Sequence, residues 1–147
     1  GVRSIALSQF YGPGNIDLDD QFEAAAAYGA EVVGDLLEHG VWQNADYGVF
    51  YNVNFPPVPA SGVKGTRVVA QGWRAETTFS VAPHQSPSGR MFMWVKGGPQ
   101  HLPTAPGTDV AANVVGFISV TPQTADLTLH RALAPLAAAL DRDTGRS

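Results

Sequence analysis

The clearest chemical pair in this chain is Asp126 with His130, four positions apart. Side chains at this spacing meet on one helical turn, so a carboxylate and an imidazole can share a hydrogen bond and could exchange a proton. Nothing nearby supplies a nucleophile. We therefore expect a structural pair, with acid–base chemistry as the alternative.

Other residue types that serve as metal ligands occur without a convincing pattern. Asp19 and Asp20 are adjacent, but acidic residues at the start of a helix are stabilised by the helix dipole and need no ligand. His39, His84 and His101 share neither an element nor a metal-site spacing. We predict no catalytic residue and no metal ligand in this chain.

Polar residues at the ends of two predicted strands are better candidates for binding. Ligands of open α/β sheets lie beyond the carboxyl ends of the strands. Ser8 and Gln9 follow the first strand, and Asn52 and Asn54 stand at the end of the second. We predict that these residues lie near a substrate, the alternative being that they satisfy local backbone groups.

Thr108 and Asp109 open a short predicted helix after a loop rich in glycine and proline. Backbone N–H groups at a helix start can receive an anion. We predict that both residues lie near the substrate as well, with simple capping as the alternative.

Residues 1–57 predict a strand, a helix and a second strand. Asp17 is placed to cap the helix, whose apolar residues recur at three- and four-residue intervals up to Gly40. Residues 48–55 alternate between apolar and polar side chains, as a strand with one buried face does. A helix between two strands favours a parallel pair.

Residues 58–106 predict a β-rich arm followed by a loop. Pro56, Pro57 and Pro59 lack the backbone N–H groups that a central strand needs for its hydrogen bonds, so they cannot continue such a strand. Segments 65–71, 73–82 and 90–96 are β-rich, and residues 84–89 form a turn by composition. Because two or three strands bury little surface alone, the arm needs a partner surface, such as another subunit.

Residues 107–147 predict a short helix, a strand and a carboxy-terminal helix. Thr108 is the expected N-cap of a helix through Val114, and Gly116 ends it. A strand over 117–120 and a helix over 127–140 follow, with Pro135 forcing a bend or a late start.

Composition excludes several classes of protein. The 147 residues contain no cysteine, which excludes disulfides and thiol chemistry and fits a reducing cytoplasm. No apolar run approaches the roughly 20 residues of a bilayer span, so no membrane partner is expected. A net charge of −4 with no arginine-rich motif makes nucleic acid an unexpected partner.

Charge is distributed unevenly along the chain. Residues 1–63 hold one arginine against eight carboxylates, a net −7. Residues 64–96 hold five cations against one carboxylate, a net +4; the cations are Lys64, Arg67, Arg74, Arg90 and Lys96. This excess either attracts phosphate or an acidic partner, or keeps exposed strands soluble.

Several motifs occur together in a fixed order: Ser4-Ile5-Ala6-Leu7-Ser8, Asn52-Val53-Asn54-Phe55-Pro56, Gly107-Thr108-Asp109, Gly116-Phe117-Ile118-Ser119-Val120-Thr121-Pro122 and Asp126-Leu127-Thr128-Leu129-His130. In order and spacing, they resemble the later part of the SurE family, the stationary-phase survival proteins. The resemblance implies the later portion of a Rossmann-like three-layer α/β fold with an extended β-hairpin arm and a carboxy-terminal helix.

The resemblance also implies an activity. Members of this family are metal-dependent 5′-nucleotidases that release phosphate from nucleoside monophosphates, with Mg²⁺ or Mn²⁺ as cofactor, and they form homodimers or homotetramers. Their metal ligands lie upstream of the part matched here, and Asp19 and Asp20 do not match that motif. This chain alone is therefore expected to bind no metal and to be inactive. The alternative is a non-enzymatic oligomeric module that binds a phosphorylated ligand or a partner protein.

Overall fold

The computed structural model describes residues 2–44, 46–74, 79–98, 102 and 104–141. The strands are β1 (Ser4–Gln9), β2 (Gln43–Asn44), β3 (Tyr47–Phe55), β4 (Thr66–Val68), β5 (Ser80–Gln85), β6 (Met91–Lys96) and β7 (Ile118–Thr124). The helices are α1 (Glu23–His39), α2 (Asp109–Val114) and α3 (His130–Leu140), with a 3₁₀ turn at Ala60–Gly62. Candidate histidine His101 and part of the predicted segment 73–82 lie outside the described residues.

One mixed sheet carries the fold, with strand order β1–β3–β7–β4 and β2 paired with β3. β1 runs parallel to β3, in register from Ser4 opposite Phe50 to Gln9 opposite Phe55, which confirms the predicted parallel pair. β7 is antiparallel to β3, and β4 is parallel to β7. The α/β fold expected from the sequence is confirmed.

The hydrophobic core lies between this sheet and α1. Every second residue of β3 from Val49 to Phe55 is buried, so the predicted alternation is confirmed. These side chains pack with Ile118 and Val120 of β7 and with Ala24 and Val32 of α1. The packing fixes the faces of the sheet, so that Asn54 points away from the core.

The predicted start of the first helix is wrong. Asp17 does not cap it, because α1 begins six residues later, at Glu23. The intervening chain is held in turns by Asn15, whose Oδ1 accepts a hydrogen bond from Gly12 N and whose Nδ2 donates to the carbonyl of Gln21. Acidic residues in this stretch therefore form turns rather than a helix start.

α2 and β7 follow the predicted order. Thr108 is the N-cap of α2, as predicted, and its side chain accepts a hydrogen bond from Ala111 N. Gly116 adopts φ +95°, the left-handed conformation that suits glycine after a helix. β7 continues past Val120 to Thr124, through Pro122, because β3 offers it a partner along this whole length.

β5 and β6 form a separate antiparallel hairpin, as predicted. Its turn covers residues 86–90, so His84 and Gln85, predicted in the turn, are strand residues. Phe92 and Trp94 remain 54% and 61% exposed. Of the predicted β-rich segment 58–106, β4 pairs with β7 in the main sheet, so the arm proper is the hairpin.

α3 begins at His130, three residues later than predicted, with Pro135 inside it. Leu133, Leu136 and Leu140 are more than half exposed. None of the helices in the described part of the chain is long and apolar enough to cross a membrane.

Candidate functional site

A crevice of about 510 Å³ opens at the carboxyl ends of the parallel strands β1 and β3, beside α2. Its lining residues are Ser8, Gln9, Phe10, Tyr11, Asn54, Arg74, Asp109, Val110 and Asn113. We call it the strand-end crevice. Ligands of α/β sheets bind in this position, so the cavity lies where the strand order predicts a site.

The structure gathers four of the six predicted binding residues around this crevice: Ser8, Gln9, Asn54 and Asp109. The other two lie next to it along the chain. Asn52 stands two positions before Asn54 on β3, and Thr108 directly precedes Asp109. Residues separated by about a hundred positions in the sequence therefore meet at one edge of the sheet.

Ser8 and Asn54 form a pair across the two parallel strands. They are register partners, and Ser8 Oγ donates a hydrogen bond to Asn54 Oδ1. Parallel pairing brings partners of equal depth onto the same face. The two side chains thus present one hydroxyl and one amide to the crevice.

Gln9 uses both ends of its amide within the protein. Its Nε2 donates to the carbonyl of Gln21 at 2.8 Å, and its Oε1 accepts from Ala25 N at 2.9 Å. Ala25 N belongs to the first turn of α1, where backbone donors lack helical partners. Gln9 therefore joins the end of β1 to the start of α1, which is the structural alternative considered for it.

Asp109 binds two backbone donors at the start of α2. Its Oδ1 accepts from Gly72 N at 2.8 Å and from Val110 N at 2.7 Å. Asp109 N itself donates to the carbonyl of Ala70, and Ala112 N donates to that of Thr108. Because the chain already uses the donors at this turn, capping explains the residue types here, and the turn clamps the segment around Gly72 to α2.

Asn113 was not predicted as a site residue, although it lines the crevice. It is only 6% exposed, and its Nδ2 lies within hydrogen-bond distance of the carbonyls of Asn54 and Phe117 and of Ser119 Oγ. This amide ties α2 to both β3 and β7. Its signal in the sequence was a polar residue near the end of a short, mainly apolar helix.

Arg74 brings a positive charge to the crevice, a position that the sequence did not predict, since it indicated Arg74 only as one of five cations that could attract phosphate. The guanidinium carbon lies 5.9 Å from the centre of the Phe10 ring. Burial lowers the pKa of Arg74, and the nearby negative charge of Asp109 opposes this shift. The signal in the sequence was the cationic stretch 64–96, which does not single out one residue.

The residues around the crevice do not fit a metal site of their own. Asp109 is the one carboxylate among the described residues that line it, and its Oδ1 already faces two N–H donors. Throughout the described part of the chain, no group of three or more His, Asp or Glu side chains is arranged to hold a metal ion. A divalent ion at this crevice would need oxygen ligands from other residues.

Asp126 and His130 form a hydrogen-bonded pair away from the crevice. His130 Nε2 and Asp126 Oδ2 are 2.5 Å apart, and Asp126 Oδ1 accepts from Thr128 N. The pair bridges the junction into α3 rather than one helical turn, because the helix begins at His130. These bonds, with that to His130 the strongest, lower the pKa of Asp126 to about 2.

A larger groove of about 790 Å³ lies between the C-terminal end of α1 and the face of the sheet that packs against α1. Its lining includes Val32, Leu36, Val120 and Pro122 and none of the predicted binding residues. Its walls are mainly apolar, although polar residues such as Asp35, His39 and Gln123 also line it. The strand-end crevice is the better candidate site, because four of the predicted binding residues meet there.

Comparison with known proteins shows which family this chain is similar to. The family model described as "Survival protein SurE" matches residues 1–78. A protein of Cereibacter sphaeroides (strain ATCC 17025 / ATH 2.4.3) named 5′-nucleotidase SurE is 59% identical over 138 residues, which cover 94% of this chain and 53% of the relative. One of Ruegeria pomeroyi with the same name is 55% identical over 140 residues, covering 95% of this chain and 54% of the relative.

The fold is also similar to that of a solved structure. The crystal structure of the SurE protein from Aquifex aeolicus aligns with a TM-score of 0.67 and 30% identity, covering 96% of this chain and 53% of that one. The chain spans about half the length of these relatives. Because the family model matches more than half of its residues and the similarity continues through β7 and α3, this chain belongs to the SurE family.

Proposed function

We propose that this chain is the carboxy-terminal part of a metal-dependent 5′-nucleotidase, a phosphomonoesterase that converts nucleoside 5′-monophosphates to nucleosides and phosphate. The observation that carries the proposal is the 59% identity, over 94% of the chain, to a protein named 5′-nucleotidase SurE. The strand-end crevice supports it, because Ser8, Asn54 and Asp109 meet where an α/β sheet binds its ligand.

The cofactor of this proposed enzyme is Mg²⁺ or Mn²⁺. Such an ion polarises a phosphoryl group and activates water. We place its ligands outside this chain, since the described lining of the crevice offers a single carboxylate, which binds backbone donors. The part played by this chain is then to form one wall of the active-site crevice, with Ser8 and Asn54 facing the substrate.

The test is phosphate release from a nucleoside 5′-monophosphate with Mn²⁺. It compares this chain with the same chain joined to the amino-terminal half of the Cereibacter sphaeroides relative. We expect activity in the joined chain only. Activity in this chain alone would overturn the assignment of the metal ligands to other residues. A joined chain that folds, by circular dichroism, but hydrolyses nothing would favour a non-enzymatic module.

Self-association is proposed from two exposed apolar surfaces. Phe92 and Trp94 of the hairpin and Leu136 of α3 are each more than half exposed, and clustered exposed apolar side chains commonly mark protein–protein interaction sites. We propose that the protein forms a homodimer or homotetramer through the hairpin and α3. The same surfaces would serve the alternative, a binding module that assembles without catalysis.

Analytical ultracentrifugation tests this assembly. Trp94→Ser combined with Leu136→Ser is expected to lower the sedimenting mass towards that of the monomer. Val41→Ser is the matched control, because Val41 is also more than half exposed, at 65%, but lies outside both surfaces. A monomeric wild-type chain would contradict the proposal.

A further inference from the structure

Arg74 is the one cationic side chain among the described residues that line the strand-end crevice. It is half-buried rather than extended into solvent, and its guanidinium lies near the face of Phe10. Most arginines on a protein surface are exposed, so a half-buried one inside a candidate ligand crevice calls for an explanation.

The backbone leading to Arg74 is held in place by α2. Ala70 N donates to the carbonyl of Gly107 at 3.2 Å, and Asp109 N donates to the carbonyl of Ala70 at 2.9 Å. Gly72 N then donates to Asp109 Oδ1. A Cβ at position 72 would lie 2.9 Å from that oxygen, so a glycine is needed for this approach. These hydrogen bonds hold the backbone that precedes Arg74 and so set the direction in which Arg74 extends.

Three other polar side chains of the crevice bind within the protein. Gln9 bonds to the start of α1 through both ends, and Asn113 ties α2 to two strands. Asp109 accepts from two backbone donors. Arg74 brings a positive charge to the crevice, and its guanidinium carries N–H donors in a planar arrangement.

The crevice also strengthens the electrostatic attraction between Arg74 and an anion. A guanidinium remains protonated in proteins even when burial opposes its charge. Partial removal of water lowers the effective dielectric constant, so the attraction to a phosphate is larger here than at an exposed lysine or arginine. The planar donors of arginine match two phosphate oxygens at once.

We propose that Arg74 binds the phosphoryl group of the ligand in the strand-end crevice and that Asp109 positions it by clamping the backbone at Gly72. The identity of the anion as a phosphate ester rests on the proposed nucleotidase function. The hydroxyl of Ser8 and the amide of Asn54 complete the polar surface that faces this phosphate.

The test is an NMR titration of the full chain with inorganic phosphate at constant ionic strength, which follows the side-chain resonances of Arg74 and Asn54. We expect saturable shifts in the wild-type chain. Arg74→Ala should weaken binding by about 10- to 100-fold, the worth of losing charged hydrogen bonds. Arg90→Ala is the matched control, since Arg90 is an exposed cation in the hairpin turn and its loss should leave the affinity unchanged.

Two variants separate positioning from charge. Asp109→Asn keeps an oxygen acceptor for Gly72 N and removes the negative charge beside Arg74, so phosphate should bind at least as tightly as in the wild type. Asp109→Ala removes the clamp and should weaken binding. If Asp109 acted on stability alone, Asp109→Asn and Asp109→Ala would change the phosphate affinity in the same direction.

The inference is overturned by any of three results. These are no saturable shift in the wild-type chain at millimolar phosphate, unchanged binding by Arg74→Ala with a dispersed spectrum, or equal losses in Arg74→Ala and Arg90→Ala. Its failure is distinct from that of the proposed function. Hydrolysis by the joined chain with phosphate binding independent of Arg74 overturns this inference alone, whereas Arg74-dependent binding without hydrolysis overturns the nucleotidase proposal alone.

Discussion

The central sheet and the β5–β6 hairpin contain similar residue types but bury them very differently. Val53 and Phe55 of β3 are 0% exposed, while Phe92 and Trp94 of β6 are more than half exposed. The difference lies in their partners. β3 is flanked by β1 and β7 and covered by α1, whereas within the described part of the chain the two hairpin strands pair only with each other. An apolar pattern therefore predicts a strand but not whether the same chain supplies its cover.

The largest expected effect tests this contrast with one substitution in each region. Phe55→Ala opens a cavity in the core and should lower the free energy of unfolding by about 3–5 kcal/mol. At a protein concentration low enough for the chain to be monomeric, Phe92→Ala removes the same atoms from an exposed position and should change it by no more than about 0.5 kcal/mol. Urea denaturation followed by circular dichroism measures both.

Equal losses for Phe55→Ala and Phe92→Ala would remove the contrast between the two regions. A loss for Phe92→Ala that grows with protein concentration would instead sharpen it, because the hairpin would then be covered by another subunit. Measurement at two protein concentrations distinguishes these outcomes.

The next largest loss in the free energy of unfolding is expected at Asn113, because its side chain connects the core sheet to the crevice. Asn113→Ala leaves the carbonyls of Asn54 and Phe117 without this donor in a buried place and should cost about 1–3 kcal/mol. Asn44→Ala, at an exposed position of β2, is the control and should be neutral. A neutral Asn113→Ala would mean that α2 is not anchored through this amide.

The sequence predicted the parts of the fold that local patterns determine. Alternation in β3, the helical stripe of α1 and the cap at Thr108 each depend on neighbouring residues, and each is present. The start of α1 was predicted wrongly, because Asn15 bonds to the carbonyl of Gln21 and holds the acidic stretch in turns. The residue types at positions 15 and 21 do not by themselves predict that hydrogen bond.

The candidate site could be predicted only in part. Ser8 and Asn54 follow from the rule that ligands bind at the ends of parallel strands, because the helix between the strands fixes their direction. Arg74 does not follow from any local pattern. It reaches the crevice because Asp109, thirty-seven positions from Gly72, binds the backbone there, a contact that only the folded chain reveals.

A smaller effect is expected at the cap of α2. Thr108→Ala removes the acceptor for Ala111 N and should lower the free energy of unfolding by about 1 kcal/mol. Thr108→Ser keeps the hydroxyl and should restore most of it. If both variants lose the same amount, the methyl group rather than the cap stabilises this turn, and the local explanation of α2 fails.

The smallest effect concerns Asp126 and His130, which lie at the exposed entrance to α3. The hydrogen bond to His130 is the largest cause that lowers the pKa of Asp126 from 3.8 to about 2, followed by the bond from Thr128 N. A carboxyl group whose pKa is lower in the folded state stabilises that state above pH 3.8 and loses this contribution as the pH falls through about 2. Because solvent screens the pair, we expect little change in unfolding free energy at neutral pH.

An NMR titration of the Asp126 carboxyl carbon measures this pair directly. His130→Ala should raise the pKa of Asp126 towards 3.8, and His39→Gln, at an exposed histidine on α1, should leave it unchanged. An Asp126 that titrates at the same pH in His130→Ala would show that the bond is absent in solution. The spacing of four residues predicted this pair without any knowledge of the fold, since its partners lie in one short segment. The pair is therefore a locally determined feature, like the alternation in β3. It lies at the start of a helix whose leucines, like the aromatic residues of the hairpin, are more than half exposed in the described structure.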